Sequence, residues 1–353
     1  MKTTKLIVPA SLAAMAMVLS ACGGPAAPSG NSTQGSAAPK AAGWQINEQP
    51  REKLAEGGEM VLPIAEMMTQ WNGAHVNGNQ KDNTDLQAPL DPQYMDYNAS
   101  GDPVVNPDYL VSADVKNEGK TVVTLKLNEK AVWGDGKPLS VNDWIATWKA
   151  LNGTNKAFEP ASTDGWDQIE SVTKGATDYD VTITFKSTYP DWTAIVASGP
   201  LRAESVATPE VFNKGWTTLK NEWLSGPYKV QEITKDRIVE VPNDKWWGRK
   251  PLLTKITFRA IPSDATASAF ANGELDYYDI GPDPDGFARA KATPNAEIRK
   301  AGGPNFRHFT FNTKAPNLTD VKVRQAIAMG LDREAIAKSD LAGLPGDFKP
   351  LNN

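Results

Sequence analysis

Alternation of apolar and polar residues predicts a series of short strands along the chain. The clearest case is residues 121–127, where Val123, Leu125 and Leu127 fall on one face of the segment. Such alternation over about four to eight residues is typical of a half-buried strand. The same pattern predicts strands at residues 58–64, 180–185, 226–230, 237–241, 255–261, 275–280 and 308–311. Residues 226–230 and 237–241 are expected to form a hairpin.

Apolar residues at helical spacing predict four helices, each preceded by a capping residue. In the first, Trp144 and Trp148 follow the capping-box sequence Ser140-Val-Asn-Asp143, and both tryptophans are expected in the core. The other three are residues 264–270, 321–331 and 333–338, with Asp264, Asp320 and Asp332 as their caps. Because a strand, a helix and a strand follow one another over residues 255–280, we expect a βαβ unit with parallel pairing there.

A long polar stretch and a tight turn separate these elements. Residues 71–107 are rich in Asn, Asp and Gly, and they are predicted as one loop. A loop of that length is usually functional or crosses to another part of the molecule. Gly134-Asp-Gly136 predicts a tight turn before the first helix.

The N-terminal residues predict export and lipid anchoring. Lys2 and Lys5 precede an apolar run, residues 6–19, which is shorter than the roughly 20 residues that span a membrane. The run ends in Leu-Ser-Ala-Cys22-Gly, which resembles the lipobox of bacterial lipoproteins. That resemblance implies a diacylglycerol on the Cys22 thiol and cleavage just before it. The alternative is an ordinary signal peptide with a cysteine at this position by chance.

Composition narrows the class of protein. Residues 23–56 begin with a Gly-, Ala-, Ser- and Pro-rich segment and are predicted to be a flexible linker. The 353-residue chain has a single cysteine, so an internal disulfide is excluded. Its net charge of −5 and the lack of a basic run argue against a nucleic-acid partner.

Four segments, in the same order, resemble the family-5 extracellular solute-binding proteins of bacterial ABC importers. The first is Ala-Val-Trp-Gly-Asp-Gly-Lys-Pro-Leu-Ser-Val-Asn-Asp at residues 131–143, which looks like the family's signature. The others are residues 225–230 with 243–248, residues 256–280, and residues 311–316 with 320–326 and 331–336. Together they extend over most of the chain.

The resemblance implies an α/β fold of the periplasmic-binding-protein type (type II, cluster C) with three lobes. Lobe I is expected over residues 57–80 and 200–301, lobe II over 81–199, and the start of lobe III over 302–353. Members of the family are longer, so this chain is expected to be C-terminally truncated, with lobe III incomplete. In peptide-binding members, the acidic residue that pairs with the peptide's amino group lies in that missing part.

The resemblance also suggests ligand-binding residues. The segment that contains Val76, Asn77 and Gly78 falls where members pair their backbone with an extended peptide. Trp166 is a candidate for stacking on a ligand, as is Trp71, with packing as the alternative for both. His308 is a further candidate on a predicted cleft strand, and Asp164 and Asp167 could face a ligand amine or be solvated.

The predicted function is therefore solute binding rather than catalysis. The sequence has no Gly-x-Ser-x-Gly motif, and His75 and His308 lack metal-ligand spacing, so no cofactor or metal is expected. The resemblance implies a monomer on the outer face of the cell membrane that captures peptides for an ABC permease and its ATPase subunits. Nickel chelates, haem and sugars stay open as ligands. A non-transporting sensor and a cell-wall glycan enzyme are the alternative functions.

Overall fold

The computed structural model describes residues 45, 47, 49–98, 101–300, 308–346 and 350. Within these ranges the chain is a mixed α/β protein, as predicted. The strands are β1 (Glu59–Ile64), β2 (Met95–Tyr97), β3 (Pro103–Val105), β4 (Leu110–Asn117), β5 (Thr121–Leu127), β6 (Ile169–Lys174), β7 (Asp180–Phe185), β8 (Tyr228–Ile233), β9 (Arg237–Pro242) and β10 (Lys255–Ala260). The α-helices are α1 (Lys81–Gln87), α2 (Val141–Leu151), α3 (Trp192–Ser198), α4 (Pro209–Lys214), α5 (Ser263–Ala271), α6 (Pro284–Ala292), α7 (Val321–Gly330) and α8 (Arg333–Asp340).

The first sheet joins β1 to strands from much later in the chain. Its order is β1-β10-β9-β8, with β1 and β10 parallel and the other pairs antiparallel. β8 and β9 form the predicted hairpin. Ile64, Ile238 and Phe258 lie in the hydrophobic cluster of this sheet.

The second sheet comes from one continuous part of the chain. Its order is β4-β5-β7-β6, and every pair is antiparallel. Val123, Leu125 and Leu127 of β5 are fully buried while Thr124 is exposed, so the predicted alternation is confirmed. Helix α2 packs on this sheet with Trp144 buried and Trp148 partly buried in the same cluster.

The capping box that the sequence predicts at α2 is present. Asp143 accepts the backbone N–H of Ser140 at 2.9 Å, while the Ser140 hydroxyl accepts the N–H of Asn142 at 3.3 Å. The C-cap of the helix is Asn152, and Gly153 takes a φ of +71°, which a glycine adopts at little cost. The N-caps of α7 and α8 are likewise Asp320 and Asp332, as predicted.

The predicted strand at residues 275–280 is wrong, and so is the βαβ unit built on it. β10 already has a neighbour on each side, namely β1 and β9, so the later segment can only reach the outer edge of β1. There Asp276 makes two hydrogen bonds with Val61, one through its backbone N–H at 3.0 Å and one through its carboxylate at 2.7 Å. A side chain thus takes the place of a strand ladder.

Three smaller predictions are also corrected. Residues 308–311 form no strand, and Asp264 lies in the first turn of α5, whose N-cap is Pro262. Residues 71–107 contain α1, β2 and β3 in addition to loop, because short polar helices and hairpins give weak patterns. The strands β4 and β6 and the helices α3, α4 and α6 were not anticipated.

Two predictions concern parts of the chain at the N-terminus. Cys22 and the first part of the predicted linker lie outside the described residues. Across the described ranges, we find no helix with the length and apolar character that crossing a membrane requires.

Candidate functional site

The carboxyl ends of β1 and β10 meet at one edge of the first sheet. The two strands are parallel, and the N–H of Ile261, just after β10, donates to the carbonyl of Ile64 at 2.8 Å. In open α/β sheets ligands bind outside the carboxyl ends of the strands. This edge of the sheet is therefore where a ligand is expected to bind.

Residues 65–69 form a backbone segment without partners beyond the end of β1. Within the described residues, the N–H groups of residues 66–69 donate to no acceptor, and the carbonyls of residues 65–69 accept no hydrogen bond. The Ala65 N–H, by contrast, donates to the Asp82 carboxylate at 2.6 Å. Unpaired backbone groups next to a sheet are a template for pairing with another extended chain.

The sequence explains why this segment is left unpaired. No glycine or proline lies between Pro63 and Gly73, and the backbone nevertheless bends at residues 65, 66 and 69. The neighbouring strand cannot continue beside it, because Pro262 follows β10 and α5 begins at once. β1 thus ends at Ile64, where its partner turns away, and the segment that follows has no neighbouring strand.

A shallow cavity of about 290 Å³ lies beside this segment. It is lined by Ala65, Glu66, Gln80, Lys81 and Asp82, so the end of β1 forms one wall and the start of α1 forms the other. Since Asp82 also holds Ala65, the two walls are fixed to each other.

The site carries an excess of negative charge. Lys81 forms ion pairs with Asp85 at 2.5 Å and with Asp279 at 3.9 Å, and Glu66 and Asp82 add two more carboxylates. The hydrogen bond to Asp85 raises the pKa of Lys81, so the ammonium stays protonated at neutral pH. These side chains are largely solvent-exposed, and their ion pairs add little to stability. Their field still favours a cationic group of a ligand.

The predicted binding segment at residues 76–78 has its backbone donors already engaged. The N–H of Val76 donates to Glu159, that of Asn77 to the Nδ1 of His75, and that of Gly78 to the His75 carbonyl. A Cβ on Gly78 would lie 2.0 Å from the Asn72 carbonyl, so glycine is needed there for packing. Through the N–H of Val76, this segment is hydrogen-bonded to the loop around Glu159.

The other predicted residues are distributed over the molecule. Trp166 and Trp71 are both buried, one in each hydrophobic cluster, and this burial favours the packing alternative for them. Asp164 and His308 are exposed, and Asp167 is half-buried. Their roles in ligand binding remain predictions. The unpaired backbone of residues 65–69 was not predicted from the sequence.

Metal chemistry receives no support from the side chains. Among the described residues, no group of three or more His, Cys, Asp or Glu side chains is arranged to hold a metal ion. The site therefore offers backbone groups, a cavity and charge.

Residues 104–348 match the sequence model of a family described as "Bacterial extracellular solute-binding proteins, family 5 Middle". Among individual relatives, the oligopeptide-binding protein OppA of Mycobacterium tuberculosis is 34% identical over 314 residues, which cover 87% of this chain and 53% of the relative. The probable monoacyl phosphatidylinositol tetramannoside-binding protein LpqW of the same species is 28% identical, covering 66% of this chain and 36% of the relative.

A solved structure supports the same fold. The oligopeptide-binding protein AppA of Bacillus subtilis, in complex with a nonapeptide, superimposes with a TM-score of 0.65 at 21% identity. The match covers 82% of this chain and 56% of AppA. The chain thus has the fold of a periplasmic binding protein, and it spans about half the length of the curated relatives OppA of M. tuberculosis and AppA of B. subtilis.

Proposed function

Because the chain belongs to the bacterial extracellular solute-binding proteins of family 5, we propose that it captures short peptides outside the cell for an ABC importer. Members of this family are binding proteins and not enzymes. OppA and AppA, which this chain resembles, are named for the oligopeptides they bind. The ligand and the transporter are proposals for this chain.

The observation that carries the peptide proposal is the unpaired backbone of residues 65–69. A peptide laid beside this segment would satisfy the free N–H and carbonyl groups with its own backbone, as an added strand. Recognition through the backbone tolerates different side chains, which suits a protein that accepts many peptides. The carboxylates near Lys81 would attract the peptide's amino group as a secondary contact.

The proposed cycle needs no covalent step. A ligand that contacts two lobes only in the closed state shifts the population towards that state. We place lobe I at residues 57–80 and 200–301, lobe II at 81–199 and the start of lobe III at 302–353. The closed form would then dock on the permease.

The site of action follows from the proposed anchor. A diacylglycerol on Cys22 and the linker after it would hold the domain at the outer face of the cell membrane. We expect the wild-type chain to incorporate radiolabelled palmitate and a Cys22→Ala variant not to incorporate it. Equal incorporation by both would contradict the anchor.

The backbone site is tested by removing one N–H group. Met67→Pro deletes a donor in the middle of the segment, whereas Met67→Ala shortens the side chain and keeps the donor. In titration calorimetry with a defined pool of short peptides, we expect about tenfold weaker binding for the proline variant, because one hydrogen bond of roughly 1 kcal/mol and the local fit are both lost. The alanine variant should bind close to wild type.

Two results would contradict the peptide proposal. One is equal affinity of both Met67 variants, which would place the peptide elsewhere. The other is saturable binding of mannosyl lipids without any binding of peptides, which would favour the ligand class in the name of LpqW. Uptake of labelled peptide by cells with and without the neighbouring permease genes separates an importer component from a sensor. Uptake that is lost without those genes supports an importer component, and unchanged uptake supports a sensor.

A further inference from the structure

The turn at residues 133–137 lies against a distant segment of the chain. We call residues 199–224 the return crossing, because they lead from the second sheet back to the first. The N–H of Gly134 donates to the Leu224 carbonyl in this crossing at 2.7 Å. A Cβ on Gly134 would lie 2.0 Å from the Asn221 carbonyl, so only glycine lets the two backbones approach this closely.

Arg202, in the return crossing, binds the same turn through its side chain. Its two Nη atoms contact the two carboxylate oxygens of Asp135 at 2.7 and 2.8 Å. Its Nε donates to Glu204 at 2.8 Å, and one Nη also donates to the Glu222 carbonyl at 2.8 Å. The side chain is only 4% exposed, so the guanidinium is shielded from water. Bidentate geometry of this kind fixes orientation as well as distance.

A second carboxylate joins α2 to the return crossing. Asp143 accepts the N–H of Ala203 at 2.8 Å with one oxygen. Its other oxygen accepts the Ser140 N–H at 2.9 Å and the Trp133 indole N–H at 3.2 Å. Asp135 and Asp143 therefore connect the turn and the start of α2 to the return crossing.

An aromatic series supports the same junction from another side. Trp144 on α2 contacts Tyr94 with ring centroids 5.3 Å apart, and Tyr94 contacts Tyr109 at 5.4 Å. Tyr109 then meets Trp247, which follows β9 of the first sheet, at 5.3 Å in an edge-to-face arrangement. Aromatic side chains thus pack continuously from α2 to the loop that joins β9 and β10 of the first sheet.

We propose that Arg202 is a clamp that binds Asp135 of the turn and thereby fixes the two sheets in one relative orientation. A conformational change on ligand binding then takes place without rotation of one sheet against the other. This inference concerns Arg202 and Asp135 as positioning residues, and it holds whichever ligand the protein takes.

The charge state of the clamp supports this role. Hydrogen bonding by Arg202 lowers the pKa of both Asp135 and Glu204 to about 2. Both carboxylates are therefore ionised at any pH above about 4, and the clamp does not depend on a pH change outside the cell.

Distances between spin labels test the clamp directly. Labels are attached in the full chain at Glu118→Cys, in the turn after β4, and at Lys235→Cys, in the turn after β8, with Cys22→Ala to prevent labelling elsewhere. Both positions are exposed. We expect one narrow distance distribution for the unchanged clamp, and the same distribution when the peptide pool is added.

Variants of the clamp should broaden that distribution. Arg202→Met removes the charge. Arg202→Lys and Asp135→Asn are milder changes that remove the bidentate contact, and we expect both variants to fold. The matched control is Lys214→Met, which breaks an exposed ion pair with Glu210. We expect the distance distribution to broaden at least twofold in each clamp variant that shows a cooperative thermal transition. The distribution of the control should not broaden. A broad distribution with the clamp intact, or narrow distributions in all folded clamp variants, would overturn the proposal.

Discussion

Glu240 is a buried acid without a partner. It is 0% exposed in β9, and no described group lies within hydrogen-bonding distance of either carboxylate oxygen. Burial, together with the nearby charge of Asp91, raises the pKa of Glu240 to about 9. Burial likewise raises the pKa of Asp91 to about 7. Glu240 therefore keeps its proton in the folded protein at neutral pH, where an unfolded chain would release it.

This difference in proton binding gives stability a defined pH dependence. From about pH 4.5 to 9 only the folded state holds the Glu240 proton, so the free energy of unfolding falls as pH rises, by about 1.4 kcal/mol per pH unit. The contribution of Asp91, whose folded-state pKa is about 7, is nearly complete above about pH 8. We therefore expect the free energy of unfolding of the wild-type protein, measured with denaturant, to fall between pH 8 and 9, and that of Glu240→Gln to stay nearly constant.

The matched control for this experiment is Glu232→Gln, a glutamate on β8 whose side chain is 45% exposed. It should keep the wild-type slope. The same slope in Glu240→Gln would show that Glu240 is ionised in the folded state.

Single residues were predictable where one local rule decides their place. Trp144 and Trp148 follow the helical period into the core, and Gly134 was recognised as part of a turn. Glu240 shares a strand face with Ile238, which is a visible conflict in the pattern. Arg202 gave no signal, because its bidentate partner Asp135 lies 67 positions away in the sequence.

At the scale of elements, the cap of α2 is the feature most open to a quantitative test. Ser140→Ala removes the hydroxyl that accepts the Asn142 N–H, and we expect the protein to lose about 1 kcal/mol of unfolding free energy. Chemical denaturation of the variant and wild type at one pH measures this loss.

A serine outside the helix provides the comparison. Ser112 on β4 contacts only the exposed Asp114 through its hydroxyl, so Ser112→Ala should change stability by less than about 0.5 kcal/mol. Equal losses in the two variants would mean that the capping box contributes nothing beyond an ordinary surface hydrogen bond.

Elements with strong periodicity or caps were predicted, and those with mixed patterns were not. β5, β7, α2, α7 and α8 follow their local signals. β4 was missed because only Leu110 of its eight residues is buried, so the strand has no apolar alternation to detect. The segment around Asp276 looked like a strand because the sequence does not reveal that β10 already has two neighbours.

At the scale of the whole molecule, α7 and α8 present apolar side chains to solvent. Neither helix contains a buried residue, and Met329 is 84% exposed. Apolar surface of this kind binds fluorescent apolar dyes and promotes association. We expect Met329→Ser to reduce dye fluorescence and concentration-dependent light scattering measurably.

Val111→Ser is the control for that change. Val111 is 66% exposed but lies on β4, away from these helices in the sequence. If the two substitutions reduce dye binding equally, the helices are not a special apolar surface.

The position of the proposed binding site also depends on the fold of the whole molecule. Residues 65–69 are open because β10, the neighbour of β1 in the sheet, turns away at Pro262. The sequence resemblance led to the family and the fold, but the position of the open backbone depends on which strands pair. That pairing is a long-range property that local patterns do not contain.

The parallel pairing of β1 with β10 also sets the order of folding. Thr254 donates a hydrogen bond to Gly58 across 196 positions of sequence, whereas all four strands of the second sheet lie between residues 110 and 185. Contacts between distant residues carry a larger chain-closure cost and form later. The second sheet should therefore form first during refolding, and β1 should dock last. Until then the chain has no sheet edge on which residues 65–69 could receive a peptide, so ligand binding reports completion of folding.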